Sequence, residues 1–155
     1  FEVCIADDGS TKDTQQIIEN FQQQSAFPIL HAWQDDRGFR AASARNNAVR
    51  MSSGDYLLFL DGDCIPRPNW IQQHLALSEK HAFVAGNRVL LDEMLSHAIE
   101  THRISFTDLF GLNVLRHKEH INRLIPLLKI PLGSMRKLKP TSWAKVRTCN
   151  CQWIR

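Results

Sequence analysis

Residues 56–63 read YLLFLDGD, an apolar run followed by two aspartates that flank a glycine. An apolar run of this length, bounded by turn-forming residues, is typical of a strand that is buried in a parallel sheet. Two prolines keep the residues after it extended, since proline fixes φ and restricts the residue before it. The sequence therefore predicts a strand at 56–60 that delivers Asp61 and Asp63 at its carboxyl end.

Outward from this strand, apolar runs alternate with segments of helical periodicity. The order β-α-β-α-β-α-β predicts an α/β fold, with a mostly parallel sheet flanked by helices on both faces. The predicted strands are 1–6, Ile29–Trp33, 56–60 and 82–86. Three helices are predicted: one that begins at Asp13 or Thr14, one over Ala41–Met51, and one from Asn69 to about residue 81.

The same periodicity predicts which side chains face the core. Residues 92–117 are predicted to form a helix, whereas prolines and basic residues make 121–140 a stretch of short irregular helices or loop. We expect one domain over 1–155, with halves at 1–91 and 92–155. The predicted apolar faces are Ile17, Ile18 and Phe21 on the first helix, and Leu95, Ile99, Phe106 and Phe110 on the last.

Composition and charge narrow the class of protein. The chain has 155 residues, of which 43% are apolar and 23% charged, as is usual for one globular domain and unlike a disordered chain. Residues 1–119 hold 11 basic and 16 acidic residues, whereas 120–155 hold eight basic residues and no acid. A basic segment of this kind contacts phosphates or an anionic membrane surface, or forms a solvated face, and the charge pattern leaves these open.

Cysteine spacing and the start of the chain suggest a reducing compartment and a fragment. Cys149 and Cys151 lack a second pair at the spacing of a zinc site, and Cys4 and Cys64 lie in apolar contexts that favour buried thiols. A cytoplasmic location is therefore expected. The chain opens inside a predicted strand without an initiator Met, so we expect it to be a fragment.

Acidic side chains follow two of the predicted strands. Asp7 and Asp8 end the first strand, and Asp61 and Asp63 end the third. Ligands of open parallel sheets bind at the carboxyl ends of the strands. Carboxylates this close repel each other, and a divalent cation with oxygen ligands relieves that repulsion and neutralises a diphosphate leaving group.

Arginines near these acids suit phosphate binding. Arg37 and Arg40 lie in the loop after the second strand, and Arg45 lies on the following helix. A guanidinium group makes paired contacts with phosphate oxygens. The sequence contains no G-x-G-x-x-G and no P-loop, which argues against a dinucleotide enzyme and a Walker-type ATPase.

Four segments follow one another in a recognisable order: VCIADDGST at 3–11, QDDRGFR at 34–40 with ARN at 44–46, FLDGDCIP at 59–66, and CNCQW at 149–153. In content, order and spacing they resemble bacterial family 2 glycosyltransferases. This family has the GT-A fold, a Rossmann-like fold of nucleotide-diphospho-sugar transferases. The last segment matches the family's G-x-N-M-x-F element more loosely, because Thr148 and Cys149 replace small residues.

The resemblance assigns roles to the acids. It implies that Asp8, with Asp7 beside it, contacts the uracil or the nucleoside end of the donor. It places Asp61 near the ribose, and Asp63, together with Asp61, on a Mn²⁺ or Mg²⁺ ion that holds the diphosphate. Residues 1–91 would be the nucleotide-binding half of an incomplete GT-A-like domain, and 92–155 a partial, basic acceptor-side region.

Further roles follow from the same resemblance. Gly38 would let the backbone pass close to the nucleotide, Arg45 would approach the nucleotide, and Asn150 would lie near the donor sugar or the acceptor entrance. The general base of the family lies downstream of the Asn element, so it is expected beyond Arg155. The usual first strand, with a Pro-x-x-Tyr-Asn-like ending, would precede Phe1.

The implied activity is metal-dependent, inverting transfer of a sugar from a nucleotide-sugar donor, expected to be a UDP-sugar, to a bacterial surface glycan. The acceptor would be a glycan or lipid-linked glycan of lipopolysaccharide core or capsule, and no nucleic-acid partner is expected. Peripheral contact of the apolar and basic 121–139 segment with the inner face of the membrane is left open.

Three alternatives compete with a glycosyltransferase. A haloacid-dehalogenase-type phosphatase would use Asp61 as nucleophile and Asp63 as general acid, although its acidic pair should follow rather than precede that strand. A nucleotidyltransferase would share the sheet and the metal. A non-catalytic nucleotide-binding fragment would hold the nucleotide without turnover.

Overall fold

The computed structural model describes residues 1–78, 84, 86, 88–124 and 127, and the backbone of 152–154. The chain divides into two compact units. The first contains Phe1–Leu58, and the second contains the described residues from Phe59 to 127. Asn150, Cys149, Cys151 and the predicted irregular segment from 128 to 140 lie outside the described residues.

The first unit is built on a parallel strand pair. Strand β1 (Val3–Asp7) and strand β2 (Ile29–Trp33) are joined by helix α1 (Lys12–Gln24). Val3 pairs with Ile29 and Asp7 with Trp33, so the two strands end at the same edge. The predicted α/β architecture with a parallel sheet and flanking helices is confirmed for these strands.

Helix α2 (Ala41–Met51) packs against both strands. Its buried residues are Ala44 and Ala48, whose small side chains let the helix backbone approach the sheet closely. Ala32 of β2 is buried on the strand side. This helix has the bounds that its sequence pattern predicts, and it positions its polar face near the carboxyl ends of β1 and β2.

The predicted apolar face of α1 is wrong in two of its three residues. Ile18 is buried, but Ile17 is 57% exposed and Phe21 is 63% exposed. Successive helical residues are rotated by about 100°, so Ile17 and Phe21 share one stripe and Ile18 lies on another. Only the stripe of Ile18 is covered.

Strand β3 (Tyr56–Leu58) is shorter than predicted. It pairs with strand β4 (Gln152–Ile154), whereas β1 and β2 form a separate two-stranded sheet. The prediction that 56–60 continues the sheet of the first two strands is therefore wrong for the described residues. Apolar composition favours a strand, but ladder partners decide where it ends.

The start of β1 is tied to the turn before β3 by the carboxylate of Glu2. Glu2 Oε1 accepts hydrogen bonds from the Ser53 backbone N–H at 2.6 Å, the Ser53 hydroxyl at 3.0 Å and the Gly54 N–H at 3.0 Å. These donors lower the pKa of Glu2, the Ser53 N–H most strongly. One side chain therefore links segments about fifty residues apart in the chain.

The second unit begins with helix α3 (Trp70–Ala76), which ends before the predicted position near residue 81. The Ser78 hydroxyl donates to the Leu75 carbonyl at 2.8 Å, and the Leu77 N–H donates to the His74 carbonyl. A serine that bonds back to the helix competes with helix continuation. Most of the predicted strand at 82–86 lies outside the described residues.

The predicted helix over 92–117 is wrong as one continuous element. Helix α4 (Glu93–Glu100) ends where His102 has a φ of 56°, a left-handed conformation that stops a helix. The N–H groups of Arg103 and Ile104 both donate to the Ala98 carbonyl, as in a helix C-cap. Two 3-10 segments follow, Phe106–Leu109 and Gly111–His120.

The apolar residues of this region nevertheless form a core. Phe106 and Phe110 meet edge to face, with ring centroids 5.0 Å apart. The buried residues of this core are Leu95, Leu109, Val114, Ile121 and Leu127, with Ile99, Phe106 and Phe110 packed against them. The sequence identified the apolar positions correctly while missing the break in the helix.

The two cysteines of the described part of the chain, Cys4 and Cys64, are both half-buried. In the part of the chain that the structure describes, we find no helix that is both long enough and apolar enough to cross a bilayer.

Candidate functional site

Two loops meet at the carboxyl edge of β1 and β2. We call residues 7–10 the first loop and residues 34–40 the second loop. The Gln34 N–H donates to the Asp7 carbonyl at 3.2 Å where the two strands end. Gly9 has a φ of 95°, and a Cβ built on it would lie 2.5 Å from the Asp36 Cα, so only glycine allows this approach.

Asp7 is built into the first loop. It is 5% exposed, its Oδ1 accepts the Ser10 N–H at 2.8 Å, and its Oδ2 lies 2.7 Å from His31 Nε2. Burial raises the pKa of Asp7, but the hydrogen bonds from Ser10 and His31 outweigh it and lower that pKa below its usual value. The ionised carboxylate therefore holds the turn that follows β1.

Asp8 is half-buried and bridges the two loops. Its Oδ1 accepts a hydrogen bond from Gln34 Nε2 at 2.5 Å, and its Oδ2 accepts the backbone N–H of Arg40 at 2.5 Å. A carboxylate has about four lone-pair positions, so these two bonds leave acceptor capacity for a ligand. Asp8 is thus an acceptor held at a fixed place on the sheet edge.

The second loop is held by its own polar groups. The Arg40 guanidinium donates to the Asp35 carbonyl, Arg37 makes an exposed ion pair with Asp35 at 3.2 Å, and the Gly38 N–H donates to Asp36 Oδ1 at 3.0 Å. Gly38 has a φ of 82°, and no described residue other than its chain neighbours has an atom within 4 Å of where a Cβ would lie. Among the described residues, none fills the space above Gly38.

The predicted arginine and asparagine contacts stay predictions. Arg45 lies exposed on α2, in the same unit as both loops. Asn150 lies outside the described residues.

The second acidic pair lies just after β3, in the second unit. The Cys64 N–H donates to the Asp61 carbonyl at 3.0 Å, which closes a tight turn over Asp61 to Cys64. Asp63 is exposed and its Oδ1 lies 3.5 Å from Cys64 Sγ, whereas Asp61 is half-buried. Two carboxylates on one turn suit a hard divalent cation.

This turn would supply only part of a coordination shell. Among the described residues, no three acidic, His or Cys side chains gather as a metal cluster. Mg²⁺ and related ions at phosphates use one or two protein carboxylates, and phosphate oxygens and water complete the shell. The turn fits an ion that arrives with a diphosphate rather than a closed protein cage.

Sequence reasoning missed the residues that support the two aspartates. The sequence pattern offers Arg40 for phosphate binding and gives His31 no ligand spacing, whereas in the structure the Arg40 backbone N–H bonds Asp8 and His31 bonds Asp7. Gln34 stands directly after β2, so the rule that selected Asp7 and Asp8 at the end of β1 would have selected it as well. His31 pairs with Ile5, which places it on the same sheet face as Asp7.

The sequence model of glycosyl transferase family 2 matches residues 1–140. Validoxylamine A glucosyltransferase from Streptomyces hygroscopicus subsp. jinggangensis is 37% identical over 91 residues, which cover 59% of this chain and 20% of that protein. Hyaluronan synthase from Pasteurella multocida is 34% identical over 94 residues, 59% of this chain and 10% of that protein.

Chondroitin synthase from Escherichia coli is 34% identical over 77 residues, 50% of this chain and 11% of that protein. In each of these pairs the match spans a fifth or less of the relative's length. The similarity therefore concerns one part of each larger protein.

Proposed function

This chain belongs to glycosyl transferase family 2, and we propose on that premise that its protein transfers a sugar from a nucleotide-sugar donor to a glycan acceptor. The observation that carries the proposal is the pair of loops at the carboxyl edge of β1 and β2. They hold Asp8 as an acceptor, and Gly38 in the second loop has no described residue packed over its Cβ position. A ligand site at this edge is what the GT-A fold of the family requires.

The nucleoside end of the donor would bind at the first loop. Asp8 accepts a hydrogen bond from the base, and Asp7 stands beside it while holding the turn. A carboxylate accepts the N–H of uracil, which favours a UDP-sugar. Gly38 would let the nucleotide lie against the backbone of the second loop, and Arg45 would face the phosphates or ribose.

The diphosphate would bind at the turn after β3. Asp63 and Asp61 would hold Mn²⁺ or Mg²⁺, with Asp61 also near the ribose, because their oxygens suit either ion. When bound, the ion neutralises charge that develops on the departing nucleoside diphosphate. Asn150 would lie near the donor sugar. We assign the general base of the inverting reaction to none of the residues up to Arg155.

The proposal also includes the acceptor of the sugar and the location of the protein. Two relatives are named for polysaccharides, hyaluronan and chondroitin, which supports a glycan acceptor here. We propose a bacterial surface glycan, free or lipid-linked, such as lipopolysaccharide core or capsule. The site would work in the cytoplasm, with 1–155 forming one GT-A-like domain whose basic C-terminal region contacts the inner membrane surface.

The phosphatase alternative would make Asp61 a nucleophile and Asp63 an acid. The family match over 1–140 supports a transferase instead, and the acidic loop at β1 precedes the strand of Asp61, opposite to the order expected of that phosphatase class. A non-catalytic nucleotide-binding role differs from the proposal only in turnover.

Calorimetric titration of UDP tests the site. We expect UDP binding to require Mn²⁺. The affinity should be at least about tenfold weaker in Asp63→Ala and Asp8→Asn, because each variant loses a contact with a charged group. It should be unchanged in the control Asp13→Asn, whose side chain is exposed. Metal-independent binding, or binding equal in all variants, would place the nucleotide elsewhere. Sugar transfer by this chain would exclude the non-catalytic alternative.

A further inference from the structure

A directed chain of hydrogen bonds runs from α2 to Asp8. Arg50 donates from Nη1 to Asn47 Oδ1 at 2.8 Å. Asn47 Nδ2 donates to Gln34 Oε1 at 3.0 Å, and Gln34 Nε2 donates to Asp8 Oδ1 at 2.5 Å. The chain therefore connects a helix, the end of β2 and the first loop.

The direction of this chain is fixed by its two ends. A guanidinium group can only donate and an ionised carboxylate can only accept. Asn47 must therefore turn its oxygen to Arg50 and its amide nitrogen to Gln34. Gln34 must turn its oxygen to Asn47 and its nitrogen to Asp8, and this orientation is reinforced by the Ser43 hydroxyl, which lies 2.9 Å from Gln34 Oε1.

We propose that Gln34 is a specificity-determining positioning residue, which fixes the Asp8 carboxylate so that the site selects uracil over cytosine. This inference rests on the proposed function, in which Asp8 contacts the base. With Oδ1 held by Gln34 and Oδ2 by the Arg40 N–H, the carboxylate cannot rotate without breaking its bonds to both ends of the second loop.

The hydrogen-bonding groups of uracil and cytosine explain why a fixed Asp8 carboxylate would distinguish the two bases. Uracil carries a hydrogen on ring nitrogen N3 and donates it to a carboxylate. Cytosine presents a lone pair at N3, which repels the carboxylate, beside an amino group that donates. A fixed carboxylate rejects cytosine because its lone pairs meet the lone pair of N3, whereas a mobile one can turn toward the amino group.

Calorimetry with UDP and CDP, both in the presence of Mn²⁺, tests the role of Gln34. In Gln34→Ala we expect the UDP affinity to fall about tenfold, the cost of losing a hydrogen bond to a charged group, while CDP affinity changes by less than about threefold. The UDP/CDP preference therefore drops. The matched control is Gln16→Ala, an exposed glutamine whose amide bonds Asn20 on α1.

The Gln34→Glu variant should make UDP binding depend on pH, which would not be expected if Gln34 only packed against its neighbours. It places a second carboxylate beside Asp8 Oδ1, so UDP binding should be lost at pH 8 and partly return at pH 5.5, when one proton is shared by the pair. Ser43→Ala keeps Gln34 but removes one donor to Oε1, so it should lower the UDP/CDP preference less than Gln34→Ala does. Circular dichroism shows whether each variant is folded.

The outcomes separate the two proposals. If the unsubstituted chain binds neither nucleotide, the proposed function is overturned, and the role of Gln34 with it. If the chain prefers UDP and loses binding in Asp8→Asn, but Gln34→Ala, Gln34→Glu and Ser43→Ala retain the preference, only the role of Gln34 is overturned. A reduced preference in folded Gln34→Ala or Ser43→Ala, with Gln16→Ala unchanged, supports it.

Discussion

Gly9 is the residue at which the two loops of the site approach most closely, and it carries two separate constraints. Its φ of 95° disfavours any L side chain, and its missing Cβ leaves room for Asp36. As far as the described residues show, Gly38 carries only the first constraint, with a φ of 82°, and Gly62 carries neither of them. The three glycines therefore differ in the number of these constraints that they carry.

Alanine substitution at the three glycines should separate strain from overlap. We expect Gly9→Ala to lower the free energy of unfolding by about 3 kcal/mol, through the backbone conformation and the overlap with Asp36 together. Gly38→Ala should cost about 1 kcal/mol, and Gly62→Ala should lie within about 0.5 kcal/mol of the original chain. Urea denaturation measures all three, and equal losses at Gly9 and Gly62 would contradict the close contact of the loops.

At the scale of elements, α2 holds the site together because its two faces serve different purposes. Ala44 and Ala48 face β1 and β2, while Asn47 and Ser43 face the amide of Gln34. The small apolar residues set the distance of the helix from the sheet, and that distance brings the polar residues within hydrogen-bonding range.

Enlarging the buried face of α2 should therefore disturb both stability and the site. Ala44 is 1% exposed, so we expect Ala44→Leu to lower the free energy of unfolding by about 2 kcal/mol and to weaken UDP binding. Ala42→Leu, on the exposed side of the same helix, should change stability by less than about 0.5 kcal/mol. Thermal unfolding and calorimetry compare the pair, and an Ala44→Leu variant as stable as Ala42→Leu would disprove the close packing of α2.

At the scale of the molecule, carboxylates in both units make the fold sensitive to acid. The pKa of Asp92 is lowered, most strongly by the Leu95 N–H at the start of α4 and then by His120, 2.5 Å away. The pKa values of Glu2 and Asp7 are lowered by their hydrogen-bond donors as well. In all three cases the folded chain retains the ionised form to lower pH than the unfolded chain does.

The direction of the pH dependence follows from this difference. The folded chain binds fewer protons, so these groups stabilise it fully above their ordinary pKa values, 4.5 for glutamate and 3.8 for aspartate. That stability is lost as the pH falls through the lowered values. We expect the urea midpoint to fall between pH 5 and pH 2, and to fall less in Glu2→Gln. A midpoint that stays constant over this range would contradict the assigned contacts.

Local pattern determined several elements in the first half of the chain. The bounds of β2 and α2, the presence of β1 and the positions of Asp7, Asp8, Asp61 and Asp63 after strands follow from periodicity and turn chemistry, which depend on neighbouring residues. The apolar positions of the second core could also be identified, because hydrophobicity is a property of each residue.

Contacts between distant segments decided the rest. β3 pairs with Gln152–Ile154, α1 covers only the stripe of Ile18, and the predicted 92–117 helix breaks at His102. Gln34 meets Asp8 across 26 residues of sequence, and Glu2 meets Ser53 across 51. Periodicity reports which residues prefer burial or a helix, but hydrogen-bond partners and ladder pairings arise only when the chain is folded, so the support of Asp8 by Gln34 became visible only in the tertiary structure.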